Sequence, residues 1–219
     1  MNIKSRHLNR FPVIIILLVV LALDLKQNWF GQFSHLDTFV IGLILLGTFY
    51  DKKTIKRIFQ PMQESGWLVF FFFLINYIFD VLWRLFSFSL GVKQEELGHS
   101  FDQFFNSQHS LWQLIFVNGR FLFSAVNEEL VMIPILLVLY QAFGRGKAAF
   151  YGASLIVAVG FALLHFSAYQ MAFWIFVPLF VSRLILNQVF WLAKSIRASM
   201  YLHFVLDALQ VLILLAGSN

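Results

Sequence analysis

The chain has 219 residues, of which 60% are hydrophobic, 18% are aromatic and only 12% are charged. Because a soluble domain carries about 25% charged residues, this composition indicates a membrane protein and argues against a disordered chain. The net charge of +5 is explained below by loops at one membrane face, so we expect no nucleic-acid partner. The chain has no cysteine, which excludes disulfides, thiolate metal ligands and a cysteine nucleophile.

Apolar segments long enough to cross the ~30 Å hydrocarbon core of a bilayer recur along the sequence. We predict an all-α fold, a polytopic transmembrane helical bundle that forms one structural domain with about seven spans. The predicted spans lie at about 11–27, 36–50, 67–91, 111–140, 148–166, 170–190 and 199–216.

Three of these spans have unusual features. The first follows a basic head, as in a signal peptide, but no small-residue cleavage site comes after it, so we expect a retained helix. The second is short for a full crossing. The fourth is long and contains Asn118, Gly119 and Arg120. It is therefore either one tilted helix or an interfacial segment followed by a span that begins near Phe121.

Basic residues lie in four clusters outside the spans. With seven spans, all four clusters fall on the same side of the membrane, and Lys and Arg are retained on the cytoplasmic side. We therefore predict a cytoplasmic N-terminus and a C-terminus on the opposite side. The clusters contain Lys4, Arg6 and Arg10; Lys52, Lys53, Lys56 and Arg57; Arg145 and Lys147; and Lys194 and Arg197.

Ionisable side chains within the spans are candidates for a functional site, because placing a charge in hydrocarbon costs several kcal/mol. Asp80 and Arg84 are four residues apart on one helical face, so we interpret them as a structural ion pair. The other candidates are Arg120, Glu128, Glu129, His165, Arg183, His203 and Asp207.

Three of the later spans each bring acids, a histidine or both. Glu128 and Glu129 are adjacent, His165 lies in the next span, and His203 and Asp207 are four residues apart in the last. Taken singly, each histidine is explained by a hydrogen bond to a neighbouring helix. Together, a carboxylate and histidines are able to activate water, either as a general base or through a metal. Because adjacent helical residues point about 100° apart, only one glutamate faces the water and the other needs a structural partner.

These residues resemble the CPBP intramembrane proteases, a family that includes CAAX-prenyl endopeptidases, bacteriocin-processing enzymes and Abi-type proteins. The family signature is EExxxR, FxxxH and HxxxN or HxxxD on successive membrane helices. Here the motifs read EELVMI at 128–133, FALLH at 161–165 and HFVLD at 203–207. The similarity covers about 115–212. We therefore divide the chain into N-terminal transmembrane helices without a specific signal, 1–110, and a protease-like core, 111–219.

The resemblance implies a role for each motif residue. Glu128 and His165 would activate the attacking water, and His203 and Asp207 would stabilise the oxyanion or bind the water. Phe161 supports them as the first residue of its motif. The cofactor is left open between zinc and none. If a metal is bound, its ligands would be Glu128, His165 and His203.

The chain departs from the signature at its arginine, which is replaced by Ile133, and Pro134 follows. Glu129 therefore lacks the helical neighbour that would pair with it in the family. Either a basic residue from another helix, Arg183 or Arg84, takes that place, or Glu129 is protonated. Pro134 removes a backbone donor and is expected to kink its helix.

The depths of the motifs in the membrane do not match if the spans are straight. His203 would lie near the inner end of its span and His165 near the outer end of another. A tilted helix, a kink at Pro134 or a re-entrant sixth segment, which contains Pro178 and Arg183, would bring the residues together.

We expect an intramembrane endopeptidase that hydrolyses a peptide bond of a membrane-associated peptide or protein. The expected setting is a bacterial plasma membrane, where the enzyme processes a bacteriocin or signalling peptide or confers self-immunity, and its partners are the substrate and the lipid bilayer. One alternative is a catalytically inactive relative that acts in immunity or as a scaffold. Another is an ion-coupled transporter, which the lack of a detectable inverted repeat disfavours.

Overall fold

The computed structural model describes residues 12–17, 19–20, 34–64, 66–92, 111–165 and 173–217. Residues 12–17 and 19–20 are helical and belong to the predicted first span, whose remaining residues lie outside the described part. From Ser34 onward, the described helices are α1 (Ser34–Phe49), α2 (Lys52–Ile58), α3 (Gly66–Ser89), α4 (Leu111–Ala142), α5 (Lys147–Leu164), α6 (Phe173–Ala193) and α7 (Ile196–Gly217).

Four of the described helices contain a stretch that is long and apolar enough to cross a membrane. These are α3, α4 from Leu122 to Ala142, α5 and α6, and they coincide with the third to sixth predicted spans. In α1 the apolar stretch Thr38–Phe49 is shorter. The prediction of an all-α membrane bundle is confirmed, and the number of seven spans stays a prediction.

Helix α4 lies at the centre of the described bundle. Of its membrane-spanning stretch, 72% is buried within the protein, against 6% for α3. It packs against α1, α5 and α7, while α6 packs against α3, α5 and α7. The glutamates of α4 therefore face protein on several sides, whereas α3 exposes most of its apolar side chains at the surface of the bundle.

The fourth and sixth predicted spans are each one continuous helix. α4 runs from Leu111 to Ala142 through Pro134, and α6 runs from Phe173 to Ala193 through Pro178. The Tyr50 hydroxyl donates to the Pro134 carbonyl oxygen over 2.8 Å. Within the described residues, the fourth span is therefore not divided near Phe121, and the sixth is not a re-entrant segment.

Helices α1 and α4 approach closely at Gly42. A Cβ atom at this position would lie 2.7 Å from the Cβ of Leu130, which is too close for any residue other than glycine. Small residues at such crossings let membrane helices pack backbone to backbone. The contact at Leu130 is one residue after Glu129, so it fixes the position of α4 next to the glutamates.

A two-residue turn, Lys194–Ser195, joins α6 to α7. Lys194 adopts a left-handed conformation with φ of 54°. The Gln60 side chain donates to the Lys194 carbonyl, and the Ser195 hydroxyl donates to the Gln60 carbonyl. The chain segment after α2 thereby holds the turn from which α7 begins, seven residues before His203.

Candidate active site

Glu128 on α4 projects toward the two histidines of the later motifs. Its Oε2 lies 4.0 Å from Nε2 of His165 and 3.5 Å from Nε2 of His203. Its Oε1 accepts a hydrogen bond of 2.9 Å from the Ser124 hydroxyl, one turn earlier on the same helix. This bond fixes the rotation of the carboxylate and leaves Oε2 directed toward both imidazoles.

His165 is the residue at which α5 ends. Its Nδ1 lies 2.8 Å from the Phe161 carbonyl oxygen. Because a carbonyl oxygen only accepts hydrogen bonds, Nδ1 carries the proton and donates it there. In the neutral imidazole, Nε2 is then the basic nitrogen, and it is this atom that faces Glu128.

Glu129 points away from Glu128 and forms a completely buried ion pair with Arg183 of α6. The pair is bidentate, with Nη1 2.6 Å from Oε1 and Nη2 2.8 Å from Oε2. Both side chains have 0% exposure. A forked pair of this kind satisfies both charges where water is absent. Of the two arginines considered from the sequence, Arg183 is the one that lies here.

Arg84, the other arginine, stays with its neighbour on α3. Its Nε donates to Asp80 over 2.9 Å. The pair is part-exposed, with 41% exposure for the arginine side chain and 32% for the aspartate. The geometry agrees with a structural ion pair on one helical face.

His203 of α7 links the two glutamates. Its Nδ1 donates to Oε1 of Glu129 over 3.0 Å, the same oxygen that accepts from Arg183. Its Nε2 faces Glu128 at 3.5 Å and Oδ2 of Asp207 at 3.9 Å. A buried carboxylate thus orients the imidazole and fixes which nitrogen faces Glu128, as a buried aspartate does for the histidine of a catalytic triad.

The Phe161 ring packs between the charged groups. Its centroid lies 4.4 Å from that of His165 and 6.3 Å from that of His203. The Cζ of Arg183 lies 5.5 Å from the ring centroid, within the range of a cation–π interaction. With 3% exposure, the Phe161 ring is buried against both imidazoles and the guanidinium.

Glu128 of α4, His165 at the end of α5 and His203 of α7 therefore lie around a single small region, although straight helices would place them at different depths. The side chains of Glu128, His165 and Asp207 are each 22–23% exposed, and that of His203 is 9% exposed. The buried Glu129 holds His203 by its Nδ1. The carboxylates of Glu128 and Asp207 and the imidazole of His165 are partly accessible. This arrangement gives basic atoms access to a small polar molecule.

The comparison with known proteins agrees with the three motifs. Residues 109–209 match the family model "Type II CAAX prenyl endopeptidase Rce1-like". The matched segment contains all three motifs and makes up slightly less than half of the chain. No curated protein and no solved structure matches the chain. The family resemblance predicted from the sequence is confirmed, and the CAAX protease family implies a peptide or protein substrate at a membrane.

Within the segment that matches the family model, the missing signature arginine is replaced by an arginine from another helix. Ile133 lies in the apolar core with 0% exposure, one turn after Glu129. The guanidinium that pairs with Glu129 comes instead from α6, 54 residues away along the chain. The signature is therefore incomplete along the helix, while the buried glutamate still has a bidentate partner.

The residues considered as metal ligands do not form a metal site in this geometry. Among the described residues, no group of three His, Cys, Asp or Glu side chains is placed to hold a metal ion.

Three polar residues of the site were missed in the sequence. Ser124 orients Glu128, Asn187 accepts a 3.0 Å hydrogen bond from Nε of Arg183, and Ser154 accepts from the Asn187 amide over 2.9 Å. Ser124 and Asn187 each lie four residues from the charged residue they bind. A polar residue at this spacing from a charged one in an apolar helix indicates such a hydrogen bond from sequence. Ser154 had no such signal, because its partner is on another helix.

An apolar pocket of about 200 Å³ borders the same region. It lies between α4 and α5, with Met132 and Ile135 on one side and Val157 and Gly160 on the other, and Phe161 forms part of its wall. Phe161 therefore separates an apolar space from the imidazoles.

Proposed function

We propose that the chain is an intramembrane endopeptidase that hydrolyses a peptide bond of a membrane-associated peptide or protein. The observation that carries this proposal is the position of Glu128, whose Oε2 faces Nε2 of His165 and Nε2 of His203 within 4.0 Å. The family match of residues 109–209 supports the class of reaction. A bacterial plasma membrane, and a bacteriocin or signalling peptide as substrate, are the setting that we propose.

The first chemical step is attack of water on the scissile carbonyl carbon. A water molecule held by Glu128 and His165 transfers a proton to one of them as its oxygen bonds to the carbon. The carbonyl π electrons move to oxygen and form a tetrahedral oxyanion.

His203 is placed to stabilise the oxyanion. When protonated at Nε2, it donates a hydrogen bond where negative charge develops, while Glu129 holds Nδ1 and Asp207 lies 3.9 Å from Nε2. The intermediate then collapses as the C–N bond breaks. The proton taken from water passes to the leaving amine, so that the site returns to its starting state.

The proposal is tested with purified protein in lipid nanodiscs and two probe substrates. One is a quenched fluorescent peptide with a farnesylated CAAX-type C-terminus, and the other is an unprenylated peptide with an apolar leader. Cleavage in ¹⁸O-labelled water must place the label in the new carboxyl group, which identifies hydrolysis. Metal content is measured on the same sample, so that a bound ion is detected independently of activity.

The decisive variants are Glu128→Ala and His165→Ala. Each is expected to reduce cleavage to background while the protein stays folded, because the groups that accept the proton from water are removed. Asp80→Ala is the matched control, since it removes a carboxylate from α3 outside the site. Cleavage at the wild-type rate in both active-site variants rejects the proposed mechanism. No cleavage by the wild-type protein, with binding or protection that survives in both variants, favours an inactive relative.

A further inference from the structure

Beyond Glu129 and Arg183, a line of hydrogen bonds continues through the buried interior to α5. Nε of Arg183 donates to Oδ1 of Asn187 over 3.0 Å, and the Asn187 amide donates to the Ser154 hydroxyl over 2.9 Å. Arg183 and Asn187 have 0% exposure and Ser154 has 3%. Side chains of α5, α6, α4 and α7 are thus joined in series from Ser154 to His203.

The guanidinium of Arg183 is fixed at three of its nitrogen atoms. Nη1 and Nη2 bind Glu129, and Nε binds Asn187. Because the guanidinium is planar, the bond at Nε sets the plane in which the other two nitrogens point. Asn187 therefore determines the orientation of the fork that holds Glu129.

The orientation of that fork reaches His203 through a shared atom. Oε1 of Glu129 accepts from Nη1 of Arg183 and from Nδ1 of His203 at 2.6 and 3.0 Å. If the guanidinium rotates, Oε1 moves and the hydrogen bond that fixes the imidazole weakens. The position of Nε2 of His203 relative to Glu128 and Asp207 then changes as well.

We propose that Asn187 is a positioning residue for His203. It acts through the hydrogen bonds that join Asn187 to Arg183, Arg183 to Glu129 and Glu129 to His203. The inference rests on the proposed function for its catalytic consequence. A neutral amide suits this place because it accepts from Arg183 and donates to Ser154 at once. An apolar side chain of the same size would leave Nε of Arg183 without an acceptor.

The experiment compares four variants in nanodiscs. Asn187→Leu removes both hydrogen bonds, and Ser154→Ala removes the far end of the line. Asn187→Asp is the conservative variant, because a carboxyl group accepts from Arg183 and in either protonation state can form a hydrogen bond with the Ser154 hydroxyl. Ser182→Ala is the matched control, since Ser182 forms a 3.0 Å bond to Asn76 of α3 that lies outside the line, one residue before Arg183.

Two readouts are collected for each variant. The first is the kcat and KM for whichever of the two probe peptides the wild-type protein cleaves. The second is the proton NMR signal of the Nδ1–H of His203 in protein labelled with ¹⁵N-histidine, assigned by its loss in His203→Gln. This proton is protected from exchange only while it is bound to Glu129, so its signal reports the positioning directly.

In Asn187→Leu we expect kcat to fall by about 10–100-fold with KM little changed, as for other groups that orient a reacting side chain. The Nδ1–H signal of His203 should broaden or disappear. Ser154→Ala should show the same changes to a smaller extent, and Asn187→Asp and Ser182→Ala should resemble the wild type in both readouts. If Asn187→Leu does not fold, Ser154→Ala carries the comparison.

The two proposals fail in different ways. An unchanged His203 signal in folded Asn187→Leu overturns the positioning role, whatever the rate of cleavage. Equal changes in Asn187→Leu and Ser182→Ala also overturn it, because they would reflect only loosened packing of α6. Cleavage by Glu128→Ala at the wild-type rate rejects the proposed function instead and leaves the NMR comparison of His203 intact.

Discussion

At the scale of single residues, Glu128 and Glu129 differ because they point to different surroundings. The 100° between adjacent helical positions already separates a glutamate that faces water from one that needs a partner. The identity of the partner was not readable from the local sequence, because Arg183 is 54 residues away on another helix. Because Ile133 stands at the arginine position of the signature, α4 by itself offers no basic partner for Glu129.

The buried ion pair leads to a prediction about stability. Arg183→Met leaves Glu129 buried without its partner, and removing one member of such a pair typically costs about 3–5 kcal/mol. The double variant Glu129→Leu with Arg183→Met should recover most of that loss, because no buried charge remains. It should nevertheless be inactive, since His203 loses the acceptor of its Nδ1 proton.

Thermal unfolding in detergent, measured beside the cleavage assay, checks this prediction. The single and double variants are compared with Asp80→Asn, which removes the charge of a part-exposed ion pair on α3 and should change stability by less than about 1 kcal/mol. Full activity in the double variant would contradict the role given to Glu129.

Ser124 allows a second prediction at this scale. Ser124→Ala removes the hydrogen bond to Oε1 of Glu128, and the carboxylate is then free to rotate away from the imidazoles. The loss of one such bond, about 1 kcal/mol, corresponds to a decrease in kcat of roughly fivefold to tenfold. Ser89→Ala serves as the control, because its hydroxyl only binds the Phe86 carbonyl at the exposed end of α3. Equal rates in the two variants would remove Ser124 from the site.

At the scale of helices, the sequence predicted the elements better than their relative positions. The third to sixth spans and the order of the motifs follow from apolar length and from i, i+4 spacing along single helices. The crossing of α1 on α4 depends on a contact between distant segments, that of Gly42 with Leu130. For this reason straight spans placed His165 and His203 at different depths, whereas the structure places both beside Glu128.

The contact at Gly42 is testable with a matched glycine. In Gly42→Ala the new Cβ would lie 2.7 Å from the Cβ of Leu130, so α1 and α4 must separate. We expect a loss of about 1–3 kcal/mol in the free energy of unfolding, as in other overpacked interfaces, and a lower cleavage rate because Leu130 adjoins Glu129. Gly47→Ala, where nothing lies within 4 Å of the new Cβ, should be stable and active. Similar melting temperatures for the two variants would show that this close approach is unimportant.

At the scale of the whole molecule, the basic residues of the described turns gather at one end of the bundle. Trp191 near the end of α6 stacks on Phe150 at the start of α5, with ring centroids 4.3 Å apart, and contacts Tyr140 at the end of α4. The Gln60 contact with Lys194 brings the segment after α2 to the same end. Lys53, Lys147 and Lys194 are exposed there, which agrees with a single membrane face.

Because the basic residues lie at one end of the bundle, we predict that this end faces the cytoplasm. Because the chain has no cysteine, single cysteines can be introduced without background. Lys53→Cys and Lys147→Cys should react with a membrane-impermeant maleimide only after permeabilisation of cells. Leu90→Cys, at an exposed position beyond the opposite end of α3, should react in intact cells. Leu45→Cys, which is 1% exposed, is the buried control and should react only after denaturation.

The labelling pattern distinguishes two ways in which this argument fails. If Lys53→Cys and Lys147→Cys react in intact cells and Leu90→Cys does not, the bundle is inverted, although its basic turns share one face. If Lys53→Cys and Lys147→Cys react from opposite sides, the turns do not share a face and the number of crossings between α2 and α5 is odd. The expected pattern requires an even number, which α3 and α4 supply. It would place Glu128, near the start of the spanning part of α4, in the half of the membrane away from the cytoplasm.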